Sequence, residues 1–401
     1  MAQFEKDPRA IDKNATLLFS QLKKLHLENE GLNFLGSSPP ELFVGKFNYP
    51  HVYTGILAPT DHDELSFQLS APEEWFKQNL SIDQILTNRS MMIYSRFMSD
   101  VKKPNEGKLL GVMQEVSMAE KPCDVEFFLK KKPIVRLEMD GRSNPVANPA
   151  PLERARLTEN PKIAKKVEYV VSDTDLKAKD AILDLYNHDF SVSSMIKLLS
   201  AGLLGIKPQR TLVPSRWSVT AVDDMISKKG LEEIRHFDPL DCIQVFHDEY
   251  LGNHYEIILF PRVWLFEVIE AKTPIPGIPH FEAAYWSDYE PFKGRKEYAT
   301  IVTGAYYANR LAVVEYLQKI KRQASVLVLR EVRPEYYAPL GVGILREVTR
   351  NAFKKNPELF ETFSEARKII QSRMYLPIDE FLKQSRLIKE QKEQTCLHNF
   401  F

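Results

Sequence analysis

The chain reads as an α+β protein, a mixed, helix-rich body around a mostly antiparallel sheet, ending in a flexible C-terminal tail. Three observations predict this. Segments with helical spacing outnumber strand-like runs. The two kinds do not alternate regularly, as a doubly wound parallel sheet would require. A block of β-rich runs between 243 and 271 contains a tight-turn signal, Gly252-Asn253, of the kind that joins antiparallel strands. With 401 residues, 44% hydrophobic and 27% charged, the chain has the composition of a soluble globular protein able to bury a sizeable core.

Taken in order, Leu17, Leu18, Leu22 and Leu25 recur on one helical face and predict a first helix up to about His26. Residues 32–60 alternate Pro, Gly and aromatics with short apolar pairs, which reads as loops and short strands. The spacing predicts a helix over 81–98, with Asp83 favoured at its positive end, and a strand over 125–130. The Pro- and Asn-rich connection near 141–151 is a soft subdomain boundary. Helices follow over 174–186, 193–204 and 220–229. Strands are expected over 243–246, 255–260, 263–271 and 326–332, with a long Ala-rich helix over 298–321 and further helices over 345–354 and 363–375. Residues 383–393, KQSRLIKEQKE, are so polar that they read as a solvated helix or tether. The expected organisation is therefore a globular body over 1–382 and a tail over 383–401.

Fifty-four basic residues balance 54 acidic ones, so no strong long-range field holds this protein on a phosphate backbone. Three well-separated cysteines, Cys123, Cys242 and Cys396, argue against a disulfide framework and for a reducing cytoplasm. No Cys-x-x-Cys pair exists to build a zinc ribbon. The first residues carry no signal-peptide core, and no apolar run is long enough to span a bilayer.

Three internal segments have a composition suited to chemistry. In residues 38–50, SPPELFVGKFNYP, Gly45 leaves the backbone room and Lys46 offers a cation among aromatics, a pattern that can grip phosphate and stack a base or else form a rigid loop pinned by prolines. In residues 213–224, VPSRWSVTAVDD, Ser218 reads as a helix cap and Arg216 and Trp217 as DNA contacts, whereas a capped helix with a buried Trp is the structural alternative. Asp223 and Asp224 follow, near the helix start. In residues 280–290, HFEAAYWSDYE, His280 and Glu282 join those two carboxylates as candidates for metal-assisted or acid-base catalysis, while an aromatic structural loop is the default. That spacing matches no metal motif, so no bound metal is assigned and no cofactor is identified. Lys46, Arg216 and Trp217 are the candidate DNA-binding residues.

The last eight residues, Gln394-Thr395-Cys396-Leu397-His398-Asn399-Phe400-Phe401, spell Gln-x-x-aliphatic-x-x-aromatic-aromatic. One tight helical turn places Leu397, Phe400 and Phe401 on one side as an apolar plug, with the Gln394 amide suited to a small polar pocket. The pattern resembles the PIP box of proteins that bind the sliding clamp PCNA. Together with SPPELFVGKFNYP, LVPSRWSVTAVDD and TGAYYANRLAVVEYL, it gives the chain a resemblance, over nearly its whole length, to the archaeal Nre family of DNA repair proteins, in its NreA type. The resemblance implies recruitment to DNA damage through PCNA, with Gln394, Leu397, Phe400 and Phe401 as the clamp contacts. Some relatives carry an N-terminal zinc-binding cysteine cluster that this chain lacks, so no structural zinc is inferred. It transfers no reaction. The readings set side by side are a clamp-recruited factor that binds and processes damaged DNA, a non-catalytic adaptor docked on the clamp, and an enzyme acting on a nucleotide or base. A closed aromatic pocket around Trp217 or Trp286 would favour the last.

Overall fold

In a computed structural model of the protein, residues 32–60, 66–274 and 283–393 are described. They fall into two compact units, one of residues 32–226 with 338–343 and one of 227–337 with 344–393. The predicted first helix and the terminal motif lie outside the described residues.

The N-terminal unit is built on a six-stranded sheet in the order β1-β5-β8-β4-β3-β2, from β1 (Asn33–Ser38), β2 (Glu41–Val44), β3 (His51–Pro59), β4 (Met92–Asp100), β5 (Cys123–Leu129) and β8 (Pro149–Leu157). All its pairings are antiparallel except β4 with β8. A two-residue ladder, β6 (Leu137–Glu138) with β7 (Val146–Ala147), lies between β5 and β8 in sequence. Residues 141–151, read from the sequence as a soft boundary, thus contribute strand to the interior of this unit.

The helix expected over 81–98 stops early. After α1 (Pro72–Lys77), Ser81 caps it, accepting from the Gln84 amide in a full capping box, and α2 (Ile82–Ser90) ends at a turn. The chain then pairs along β3 for nine positions. Tertiary pairing overrides the helical spacing here because Ile93, Tyr94 and Phe97 suit a sheet at least as well as a helix. Gly55 is required in β3: a Cβ there would sit 2.0 Å from the Ser95 carbonyl oxygen.

One face of this sheet is covered by α3 (Lys108–Met118), where the Thr54 hydroxyl meets the Met113 sulfur at 3.2 Å. The opposite face is partly covered by a small cluster of Leu57, Leu69, Met92, Tyr94 and Val146. Further along the chain come α4 (Lys165–Ser172), α5 (Ala178–Tyr186), α6 (Val192–Ser200) and α7 (Ser215–Ile234), the last starting five residues before the sequence indicated.

The C-terminal unit contains the second six-stranded sheet, in the order β12-β11-β13-β10-β9-β14. Its strands are β9 (Ile243–Tyr250), β10 (Asn253–Phe260), β11 (Leu265–Lys272), β12 (Tyr285–Glu290), β13 (Ser325–Val332) and β14 (Glu358–Phe360). Only β11 and β13 run parallel. The predicted hairpin forms, but its two turn residues are Leu251 and Gly252, both with positive φ, while Asn253 opens β10 opposite Tyr250.

The 298–321 segment becomes α8 (Thr303–Ile320), buried over most of its length and packed on β11. Its start is held by Asp288, which accepts from the Ile301 and Val302 amides at 3.0 and 2.7 Å. Helices α9 (Val342–Ala352), α10 (Phe363–Arg373), α11 (Ile378–Gln384) and α12 (Arg386–Glu393) follow in the chain.

The polar segment 383–393 is not a solvated tether. Leu387 and Ile388 are buried in the cluster formed by α10, α11 and the second sheet, and the packed body runs beyond residue 382. Two apolar residues in eleven carry this docking, too few for a compositional reading to register. No helix among the described residues is long and apolar enough to cross a membrane.

Candidate nucleic-acid interface

The two N-terminal segments singled out in the sequence meet in the fold. The Ser215 hydroxyl, at the start of α7, accepts from the backbone N–H of Val44 at the end of β2 over 3.0 Å. This contact fixes the helix start against the edge strand and brings Trp217 beside the β2–β3 turn. The Tyr49 ring lies 5.6 Å from that of Trp217, tilted by 50°. Lys46 reaches over the neighbouring Phe47 ring at 5.0 Å.

The aromatics at this corner are open to solvent: Phe47 is 74% exposed, Tyr49 51% and Trp217 42%. Exposed aromatics on a folded frame bury their apolar area only when a partner arrives, and Lys46 lies half-buried beside them. The corner is open, so it is not the closed base pocket one sequence reading required. In the turn that carries Phe47 and Tyr49, Asn48 has φ +62°.

Other expectations change. Arg216 does not present a free guanidinium. It donates to the Asp140 carbonyl at 3.2 Å and approaches the Asp140 carboxylate at 3.6 Å, with its side chain only 12% exposed. Ser218 is not the cap; it lies buried in the first turn of α7, where its hydroxyl accepts from that of Ser200 at 2.8 Å. Asp223 is fully buried and Asp224 half-buried on the same helix. His280 and Glu282 lie outside the described residues, as do Gln394, Leu397, Phe400 and Phe401. Among the described residues, no group of three His, Cys, Asp or Glu side chains stands close enough together to hold a metal ion. Asp288 and Glu290, in the third segment, serve structure: Glu290 receives the Trp264 indole N–H at 3.2 Å and Arg310 at 2.7 Å, and it also accepts from Tyr306.

Sequence reasoning missed a polar centre within the C-terminal unit. At the C-terminal ends of the parallel strands β11 and β13, Glu270 stands opposite Arg330. Arg330 donates to the Glu270 carboxylate and to the Asn253 side chain. Lys272, two residues on from Glu270 and so on the same face, is 8% exposed and lies 6.0 Å from the Trp286 ring. Burial, with Arg330 adding repulsion, pulls the Lys272 ammonium down to about 8. The only sequence signal was the Glu-x-Lys pair closing an apolar strand.

Comparison with known proteins places the chain. Its residues 16–276 match the sequence model described as "Archaeal Nre, N-terminal", and residues 290–400 match "Archaeal Nre, C-terminal". The chain belongs to the archaeal Nre family. It is 37% identical over 358 residues to a protein of Haloferax volcanii named DNA repair protein NreA, an alignment covering 87% of this chain and 84% of that one. A protein of the same name from Archaeoglobus fulgidus is 39% identical over 86% of this chain and 85% of its own. The DNA repair protein NreB of the same organism is 36% identical over 90% of this chain and 91% of its own. No solved structure matches.

The joint between the two Nre models does not coincide with the joint between the compact units. Strands β9, β10 and β11 lie in the first model's span and β13 and β14 in the second's, so one hydrogen-bonded sheet is divided between them.

Proposed function

We propose that this Nre-family chain is a DNA repair factor that contacts DNA through the corner formed by Lys46, Phe47, Tyr49 and Trp217. The observation that carries the reading is the convergence of two segments, 171 positions apart at Val44 and Ser215, on one corner of exposed aromatics beside Lys46. Exposed rings suit stacking on bases and Lys46 suits phosphate, the combination by which proteins hold nucleic acid without base-edge contacts. The names of the NreA and NreB relatives support the repair assignment.

With a formal net charge of zero, the body has little long-range attraction for DNA. A tether raises its local concentration instead, and the terminal Gln394-x-x-Leu397-x-x-Phe400-Phe401 is suited to supply one by docking in the PCNA pocket.

Two measurements test the two parts separately. Calorimetric titration against the organism's own PCNA, comparing the intact chain with one truncated after Glu393, is expected to show binding that disappears on truncation. Unchanged binding by the truncated chain would overturn the tail assignment. Fluorescence anisotropy with labelled DNA is expected to show weaker binding by Trp217→Ala and Tyr49→Ala, and wild-type affinity in both variants would overturn the corner.

A further inference from the structure

The turn that carries Tyr49 leads into a sheet face, covered only in part, whose chemistry points to one form of nucleic acid. β3 leaves the Tyr49 turn and places Tyr53 on the sheet face opposite the one covered by α3. There the Arg96 guanidinium lies over the Tyr53 ring at 4.2 Å. Gly55, directly opposite Arg96, has no side chain to obstruct that reach. Further across the same face, the Arg154 guanidinium lies over Phe128 at 3.9 Å. Neither arginine has a carboxylate partner among the described residues.

Leu35 and Met98 on this face are exposed, and Lys130, Lys131 and Lys132 follow β5 in the chain, all exposed. Of the acidic residues on this face, Glu126 is engaged by Arg156 at 2.8 Å. From Tyr53 on β3, through β4 and β8, to Phe128 on β5 is three strand spacings, or about 14 Å.

We infer that this face is a platform for single-stranded DNA, with bases stacking at the Tyr53 and Phe128 stations and phosphates meeting Arg96, Arg154 and the adjoining lysines. The inference rests on the reading above that this unit contacts DNA, and it adds which form of DNA. Duplex bases are already stacked on one another and offer rings only their edges, whereas an unpaired base presents a free π-face. An open sheet bearing aromatics beside cations is a solution that other folds use for unpaired nucleic acid.

The test uses the full chain and labelled oligonucleotides of one sequence as single-stranded DNA, duplex DNA and single-stranded RNA, followed by anisotropy over a salt series. The wild type should prefer single-stranded DNA. Tyr53→Ala, at an exposed position that does not endanger folding, and Phe128→Ala should each weaken single-strand binding about tenfold and leave duplex binding nearly unchanged. Arg96→Gln combined with Arg154→Gln should flatten the salt dependence by roughly one to two phosphate contacts. If Trp217→Ala and Tyr49→Ala weaken binding while the sheet variants retain wild-type affinity and preference, the platform is wrong and the corner stands. A wild-type preference for duplex, or equal affinity for RNA, overturns the single-stranded DNA assignment. No binding to any oligonucleotide overturns the corner as well.

Discussion

The last helix among the described residues, α12, ends just before the terminal Gln394–Phe401 peptide in the chain, and a buried carboxylate holds its start. Glu267 on β11 is fully buried and accepts three hydrogen bonds: from the Ser385 hydroxyl at 2.6 Å, from the Arg386 amide at 3.0 Å and from the Leu387 amide at 3.0 Å. These satisfy donors at the N-terminus of α12 that have no partner within the helix. Ser385 in turn accepts from the Ile388 amide at 3.1 Å.

Glu267→Ala removes all three acceptors. The Ser385 hydroxyl and Leu387 amide lie in buried residues, and each unsatisfied buried donor costs about 1–3 kcal/mol. Against this, the substitution relieves a desolvated charge. Burial outweighs the three hydrogen bonds and pushes the Glu267 carboxyl above its ordinary value. The balance is a net loss of about 3 kcal/mol, which for a unit of this size lowers Tm by roughly 6–12 °C.

The assay is calorimetry of the intact chain together with hydrogen exchange at Arg386, Leu387 and Ile388. Exchange at those amides should accelerate more than at the central strand β13. A variant with unchanged Tm and unchanged protection of these amides would refute the claim that Glu267 anchors the helix. The raised carboxyl also sets a sign. A folded state that holds this proton more tightly than the unfolded chain loses stability as pH rises from the ordinary carboxylate range through the folded value. The wild-type contribution from Glu267 is therefore less favourable at pH 7 than below pH 4.

Three more outcomes are expected. Residues 290–401 expressed alone should give a largely unfolded circular dichroism spectrum, because β13 loses its partners β10 and β11; a cooperative thermal transition in that fragment would contradict the sheet order. Lys272→Met should raise Tm at pH 7 and confer less gain at pH 10. With Lys272 near 8 in the fold and 10.5 as its ordinary value, the unfolded chain binds more protons between those values, so the lysine's contribution improves as pH rises through that window; a gain that is equal at both pH values would contradict it. Cys123, buried and pushed up to about 12 chiefly by burial, should resist a thiol reagent in the native protein at pH 8 and react on denaturation, and rapid native labelling shown by peptide mapping to be at Cys123 would contradict its burial.

What the sequence showed well was local. The Leu251-Gly252 hairpin, the β-rich runs on either side and the Ala-rich α8 carry their own signals in turn chemistry and periodicity, because the residues that decide them are neighbours in the chain. Composition also singled out Trp217, whose ring is exposed rather than buried in the fold. It failed where a distant partner decided the outcome. β4 looks helical until β3 lies beside it, and 383–393 looks solvated until Leu387 and Ile388 find the second sheet.

Family membership, the α+β class and the identity of the aromatic and cationic residues were determined by the sequence alone, since each depends on residue types and their spacing. Only the tertiary structure decided that Arg216 is engaged by Asp140, that Tyr49 meets Trp217, and that Lys272 and Arg330 share a buried centre. The physical reason is that charge availability, exposure and ring contact are properties of a surrounding. In this chain the surrounding of each such residue is assembled from strands and helices far away in sequence.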